Sequence, residues 1–267
     1  MSDDQLQKLI ENGAEILQSA RLRMLPLEPG PGVTVLQEDG WDTSPDGEAL
    51  YASRIDGATQ TCAFLSARKF DASPLQICCL IRELDLGKLA AAGHLTELRL
   101  VESSDSEDVL EYVCKLPFPF EPRWIRSKLR YGVVQDTGAL IILGVSDPGA
   151  AAPPGMTRGT VYYSYYHIFP GDMADTAVLY RVMNVDMHMP LLPEFMVRKA
   201  LASHYRDDMA MIESTLAAWD SSPLQERFES KTFYRTLEQA VAAAALVRPT
   251  GQLQEDEEGS GDGDDVL

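Results

Sequence analysis

The side chains able to do acid–base, nucleophilic or metal chemistry are few and scattered. The histidines are His94, His167, His188 and His204, and none stands in an HExxH arrangement. No CxxC, GxSxG or glycine-rich phosphate loop occurs. His188 and His204 flank the start of a long helical stretch, but no nucleophile or third ligand accompanies them. Cys62, Cys78, Cys79 and Cys114 sit in apolar runs without zinc-ligand spacing, which points to buried, reduced thiols. Tyr163, Tyr165 and His167 share one face of a strand and could exchange protons with a bound molecule, although no motif supports that. The expectation is a binding protein with no catalytic residues, no metal and no cofactor.

Composition narrows the partners. Of the 267 residues, 45% are hydrophobic, enough for a sizeable core. The net charge is −18, of which the tail from Gln252 carries seven acids and no bases. Such a surface disfavours nucleic acid, whose phosphates require clustered Lys and Arg. It also disfavours steady adhesion to anionic membranes while leaving room for transient contact through a local patch. No apolar run is long enough to span a bilayer. The acidic Met1–Asp4 start lacks the character of a signal or transit peptide, so a cytoplasmic location is expected.

These residues must be positioned by a fold whose elements are legible in outline. Leu6, Leu9, Ile10, Ile16 and Leu17 recur at helical spacing between about Asp3 and Arg23, before the break at Pro26–Gly32. Asp42–Gly47 reads as a turn, and Ala49–Ile55 and Thr61–Ala67 as strands. Ser73-Pro74 opens a helix, and Leu84–Ala92 continues as short helical or irregular structure. Strands follow at Leu95–Glu102, Asp108–Leu116, Trp124–Gln135, Ala139–Ser146, Thr160–Phe169 and Ala177–Met187, giving seven to nine antiparallel strands in all. A long amphipathic helix runs from Glu194 to Trp219, and a further helix runs from Pro223 to about Val247. A long antiparallel sheet tends to curl, and the helix after it is its natural cover.

Four local strings resemble the START (StAR-related lipid transfer) family, whose fold is called a helix-grip. They are Trp41-Asp42 with Ala49-Leu50-Tyr51, and the proline-rich break from Leu116 to Arg123-Trp124-Ile125. The third is Leu143–Pro148 followed by Pro153–Arg158. The fourth is Val185-Asp186-Met187 followed by Leu192–Val197. Two departures stand out: Trp124 follows Arg123 where the family has Asp, and Met187-His188-Met189 replaces a glycine-rich pair.

The resemblance implies an α+β helix-grip fold: a curved antiparallel sheet wrapped around a long C-terminal helix, with extra terminal helices. The resemblance covers about Trp41 to Leu216; residues 1–221 are expected to form the lipid-binding domain, with 222–249 as a helical extension and 250–267 as a disordered acidic tail outside the resemblance. It also implies an apolar ligand, such as a lipid or sterol, held in an internal cavity for transfer or sensing. The alternatives are an adaptor read through the terminal Asp265-Val266-Leu267 or an enzyme of the helix-grip cyclase kind. The protein partner is left unassigned.

The candidate cavity residues are Arg126, Tyr163, Tyr165, His167, Arg181, Met183, Phe195 and Met196. Strand alternation leaves open which set faces inward: Tyr163, Tyr165 and His167, or Tyr162, Ser164, Tyr166 and Ile168. Arg126 or Arg181 could meet a head group, paired with an acid such as Asp186. The favoured reading of both is a solvated outer residue, because arginine is rarely buried. Asp147, Pro148, Pro153, Pro154 and Gly155 form the candidate lid loop.

Overall fold

The structure is a computed structural model that describes residues 41–46, 49–55, 61–83, 95–116, 120–134, 137–147, 149–171, 173, 175–189 and 194–247. The expected N-terminal helix, the Leu84–Ala92 stretch and the acidic tail lie outside them. Among these described residues ten strands form one sheet: β1 (Asp42–Asp46), β2 (Ala49–Ile55), β3 (Cys62–Phe70), β4 (Leu95–Ser103), β5 (Glu107–Cys114), β6 (Arg123–Val133), β7 (Leu140–Ser146), β8 (Thr157–Arg158), β9 (Thr160–Pro170) and β10 (Ala177–Asp186). Among the described residues four α-helices accompany them: α1 (Pro74–Arg82), α2 (Glu194–Ala217), α3 (Pro223–Ser230) and α4 (Thr232–Val247).

The sheet is open and curved, in the order β1-β2-β3-β10-β9-β7-β6-β5-β4, with β8 beside β6. Neighbours along this path are antiparallel, and only β8 pairs parallel. The α+β helix-grip architecture is therefore present. Two strands escaped the sequence pattern. Asp42–Asp46, read as a turn, pairs with β2 along its whole length; its Asp-Thr-Ser-Pro-Asp composition has no apolar alternation, and a proline is tolerated because the strand is at the sheet edge. The two-residue β8 is too short for any periodicity.

Register decides which side chains share a face. Tyr166 lies opposite Arg181, and Arg181 opposite Ser66. Phe64, Leu179, Ile168, Leu140 and Ile142 belong to the same face and join the large core with the helices. The other face carries a separate cluster of Trp41, Leu50, Leu65, Leu143, Tyr163, Tyr165, Tyr180 and Val182. The register between β9 and β10 shifts at Asn184/Val185. That bulge lets Tyr162 and Tyr163 both join the second cluster, while Val161 packs with Cys114 and Ile125.

The helix-bearing face is covered in three parts. Helix α2 packs on β2 and β3, α1 on β7, β9 and β10, and α4 on β6. Helix α1 starts with Pro74 after a capping box, in which Ser73 Oγ accepts from Gln76 N at 3.3 Å and Ser73 N donates to Gln76 Oε1 at 2.8 Å. Its Ile77, Cys78, Cys79, Leu80 and Ile81 are all buried, so it is enclosed on every side rather than amphipathic.

The segment after Pro223 is two helices, broken at Lys231, whose backbone is extended. Leu224, Phe233, Tyr234 and Leu237 enter the main core, so the extension shares that core instead of standing apart. Glu83, just past α1, fastens it. Its buried carboxylate accepts from Lys231 Nζ at 2.6 Å, Tyr234 Oη at 2.6 Å and Arg227 Nη1 at 3.0 Å. Arg82 completes the join, with its guanidinium 3.5 Å from the centre of the Phe233 ring and Nε 2.9 Å from Asp108 Oδ2.

Candidate functional site

An ion pair stands in the middle of the apolar interface between sheet and helix. Arg181 on β10 donates through Nη1 to Asp208 Oδ2 on α2 at 2.8 Å, and the side chains are only 10% and 6% exposed. The guanidinium carbon lies 4.8 Å from the centre of the Tyr205 ring and 5.1 Å from that of Tyr166. Such cation–π contacts strengthen when water is excluded. Burial works against the arginine's charge, but Tyr166, Tyr205 and Asp208 outweigh it and raise its pKa above the ordinary value. Burial pushes the Tyr205 hydroxyl well above the usual tyrosine range, with Arg181 opposing. The arginine is thus a permanent cation and its tyrosine neighbour a neutral hydroxyl.

Around the pair the face is apolar with isolated polar atoms. Arg181 Nε and Ser66 Oγ are buried and have no hydrogen-bond partner among the described residues. Met183 follows on the same face, with its sulfur 3.7 Å from Arg181 Nη2. Beyond it lie Ser164, Ser127 and Tyr112 on the facing strands, where burial raises the Tyr112 hydroxyl pKa strongly. A Cβ at Gly144 would press on this packing, 2.8 Å from Leu129 Cδ2 and 3.3 Å from Ser164 Cβ, so those side chains would have to shift. The arrangement offers charge and hydroxyl groups for orienting a ligand, set in hydrocarbon.

The sequence-predicted residues divide. Arg181 and Met183 face α2; the partner of Arg181 is Asp208, not Asp186. Tyr163, Tyr165 and His167 do not: they lie on the opposite face, where Tyr165 and His167 meet edge-on and His167 stacks on Phe169 at 3.8 Å. Burial there pushes the Tyr165 hydroxyl up to about 12. The inward set is the alternative one, containing Ser164, Tyr166 and Ile168. Arg126 points away from α2 as well and forms ion pairs with Glu111 at 2.9 Å, Glu102 at 3.4 Å and Asp147 at 3.4 Å. Phe195 and Met196 are 69% and 47% exposed on the first turn of α2, so neither lines the interior.

In the lid loop, Pro153, Pro154 and Gly155 are exposed, and Pro148 lies outside the described residues. Met156 N donates to Pro153 O at 3.2 Å, and Gly155 has φ +81, so Pro154-Gly155 is a turn that needs glycine at its third position. Sequence reasoning missed Asp208, Tyr205 and Ser66, and held Tyr166 only in the alternative strand set. Asp208 had a signal: with Tyr205, Met209 and Ile212 it falls on the i, i+3, i+4, i+7 stripe that a helix buries. A carboxylate on that stripe calls for a buried partner.

No family profile and no curated protein matches the chain. Solved structures do. Human StAR-related lipid transfer protein 5 superposes with a TM-score of 0.57 at 13% identity over 79% of this chain and 99% of its own. Human STARD10 gives 0.58 at 15% identity over 75% and 82%. The human StarD13 lipid transfer and protein localization domain gives 0.55 at 14% identity over 69% and 95%. Together with the strand order and the long helix laid across the sheet, this likeness identifies the architecture: the chain has the START-type helix-grip fold.

Proposed function

We propose that the chain binds one apolar ligand, a lipid, between the helix-bearing face of the sheet and α2, and carries or presents it without chemical conversion. The observation that carries this reading is the buried Arg181–Asp208 pair, set in an apolar interface beside buried polar atoms that no described residue satisfies. Replacing a buried ion pair by apolar side chains is often neutral or stabilising, and this pair, unlike Arg82–Asp108, joins the sheet to α2 beside Ser66 Oγ on the face proposed to hold the ligand. Structural neighbours named for lipid transfer support the same class of ligand. Each methylene removed from water contributes about 0.8 kcal/mol, so a chain or ring system leaves a membrane only for a comparably dry site. A hydroxyl or carbonyl on it would meet Arg181 Nε or Ser66 Oγ.

The exposed Phe195 and Met196 stand at the end of the sheet where β10 passes into α2, and the lid loop precedes the strand paired with that end. In this reading that end touches a membrane briefly during exchange. Among the described residues no helix is long and apolar enough to cross a membrane.

The test is transfer between vesicles. Donor vesicles carrying dehydroergosterol or NBD-labelled phosphatidylcholine should lose probe to acceptors at a rate proportional to protein concentration. Arg181→Met should change which probe is preferred. A protein that moves neither probe, or one that returns it chemically altered, overturns the reading.

A further inference from the structure

Two segments at this end of the sheet, the candidate lid loop and the link from β10 into α2, are tied to the same five residues. At one foot of the lid loop, Asp147 N donates to Arg126 O at 2.9 Å and Arg158 Nη2 donates to Asp147 O at 2.8 Å. At the other foot, Thr157 N donates to Pro122 O at 3.1 Å and Gly159 N to Trp124 O at 2.9 Å. Both feet therefore rest on residues 122–126, the start of β6 and the residue before it. From the middle of this stretch Arg123 reaches the chain between β10 and α2. Its guanidinium donates to Met187 O, to His188 O at 3.2 Å and to Glu121 O. Arg123 is 4% exposed, and burial lowers its pKa against the smaller pull of Glu121 and Asp186. It is a desolvated cation whose described hydrogen bonds go to backbone carbonyls.

The segment it holds is not in a relaxed conformation. His188 has φ 48, a left-handed value uncommon outside glycine. Asp186 supports that turn, accepting from His188 N at 2.6 Å and facing His188 Nδ1 at 2.9 Å. A bent link of this kind, kept in place by contacts from outside, relaxes once those contacts go.

We propose that Arg123 is a latch that couples the two openings: by holding the Met187-His188 link against the strand end that also anchors the lid loop, it makes α2 and the loop open together. This rests on the carrier reading for its purpose, but its geometry can be tested without any ligand. Arg123 is a positioning residue, since it reaches backbone and not the interior face.

The experiment has two arms. In the first, uptake and release of dehydroergosterol are timed by stopped flow for wild type and Arg123→Gln. A latch acts on the closed state whether filled or empty, so both rates should rise tenfold or more, the range expected for losing a hydrogen bond to a charged group, while equilibrium occupancy stays within about twofold. Unchanged rates, or faster release alone, overturn the proposal. In the second arm, amide hydrogen exchange is measured on ligand-free wild type and Arg123→Lys, a variant chosen to fold even if the glutamine variant does not. Residues 149–158 and 187–199 should exchange faster together, with Cys62–Phe70 and Ala177–Asp186 unchanged. Acceleration in only one segment, in neither, or throughout the sheet overturns it. If wild type takes up no probe, the carrier reading fails, while the exchange pattern still decides the latch.

Discussion

Removing one member of the Arg181–Asp208 pair should cost far more than removing both. Asp208→Ala leaves a guanidinium that is 10% exposed, with its Nη1 hydrogen bond gone and Nε already without a partner among the described residues. Breaking a buried pair in this way costs about 3–5 kcal/mol. The Tyr205 and Tyr166 rings retain part of the cation's stabilisation, so the lower half of that range is expected, about 3–4 kcal/mol. For a domain of this size that corresponds to a fall in Tm of roughly 6–16 °C. The double variant Arg181→Met/Asp208→Leu should recover most of the loss, because methionine and leucine fill similar volume and leave no charge behind. The assay is urea unfolding of the ligand-free proteins, followed by probe uptake. The recovered double variant should still take up an apolar probe but lose discrimination between dehydroergosterol and a sterol ester lacking the free hydroxyl. A cost below about 1 kcal/mol for Asp208→Ala, the value of an exposed pair, would refute the claim that this interface excludes water. A double variant as unstable as the single one would show that the pair organises the fold rather than recognising a ligand.

Other outcomes follow from the same structure. Lys231, Tyr234 and Arg227 together outweigh burial and hold the Glu83 carboxyl below its ordinary value; its contribution to stability is complete above the unfolded carboxylate pKa of about 4.3 and drains as pH falls through and below it. Glu83→Gln should therefore flatten the acid limb of a stability-against-pH curve, and an unaltered limb would contradict the assigned hub. Asp at both Phe195 and Met196 should leave unfolding unchanged within about 0.5 kcal/mol, as for exposed positions, while slowing transfer between vesicles; transfer at wild-type rate would remove that end from membrane contact. Burial pushes the Cys79 and Cys114 thiols up to about 12 and Cys78 further. All three should be silent to a thiol reagent at pH 8 until urea unfolds the chain, and rapid labelling of Cys78 or Cys79 in the folded protein would show that α1 is not enclosed.

The helix-grip order was readable because it depends on patterns that a linear chain displays: apolar alternation in β9 and β10, the Ser73-Pro74 start of α1, and turn residues between strands. The inward face was not readable, because alternation defines two faces and not which of them meets a helix. The choice fell on Tyr163, Tyr165 and His167, whereas register puts Tyr166 beside Arg181. The β9 bulge adds a second obstacle, since it places Tyr162 and Tyr163 on one side, which no strict period of two allows. Arg126 and Arg181 look alike in sequence, each an arginine in a strand. They differ in what stands across from them: acids on the outer face for Arg126, and the apolar stripe of α2 with Asp208 for Arg181. Phe195 and Met196 read as cavity residues because they are apolar and open a helix, but in the folded chain both side chains are exposed to solvent. The role of the C-terminal extension was hidden for another reason: Glu83 and Tyr234 are separated by 151 residues, and only the folded chain brings them together.

The most direct test of the central claim is native mass spectrometry of the purified full chain, with organic extraction and identification of what is released. The account predicts one lipid per protein, displaced by dehydroergosterol or by labelled phosphatidylcholine and retained more weakly by Arg181→Met. A protein that emerges empty and gains no mass from vesicles containing both probes would contradict it.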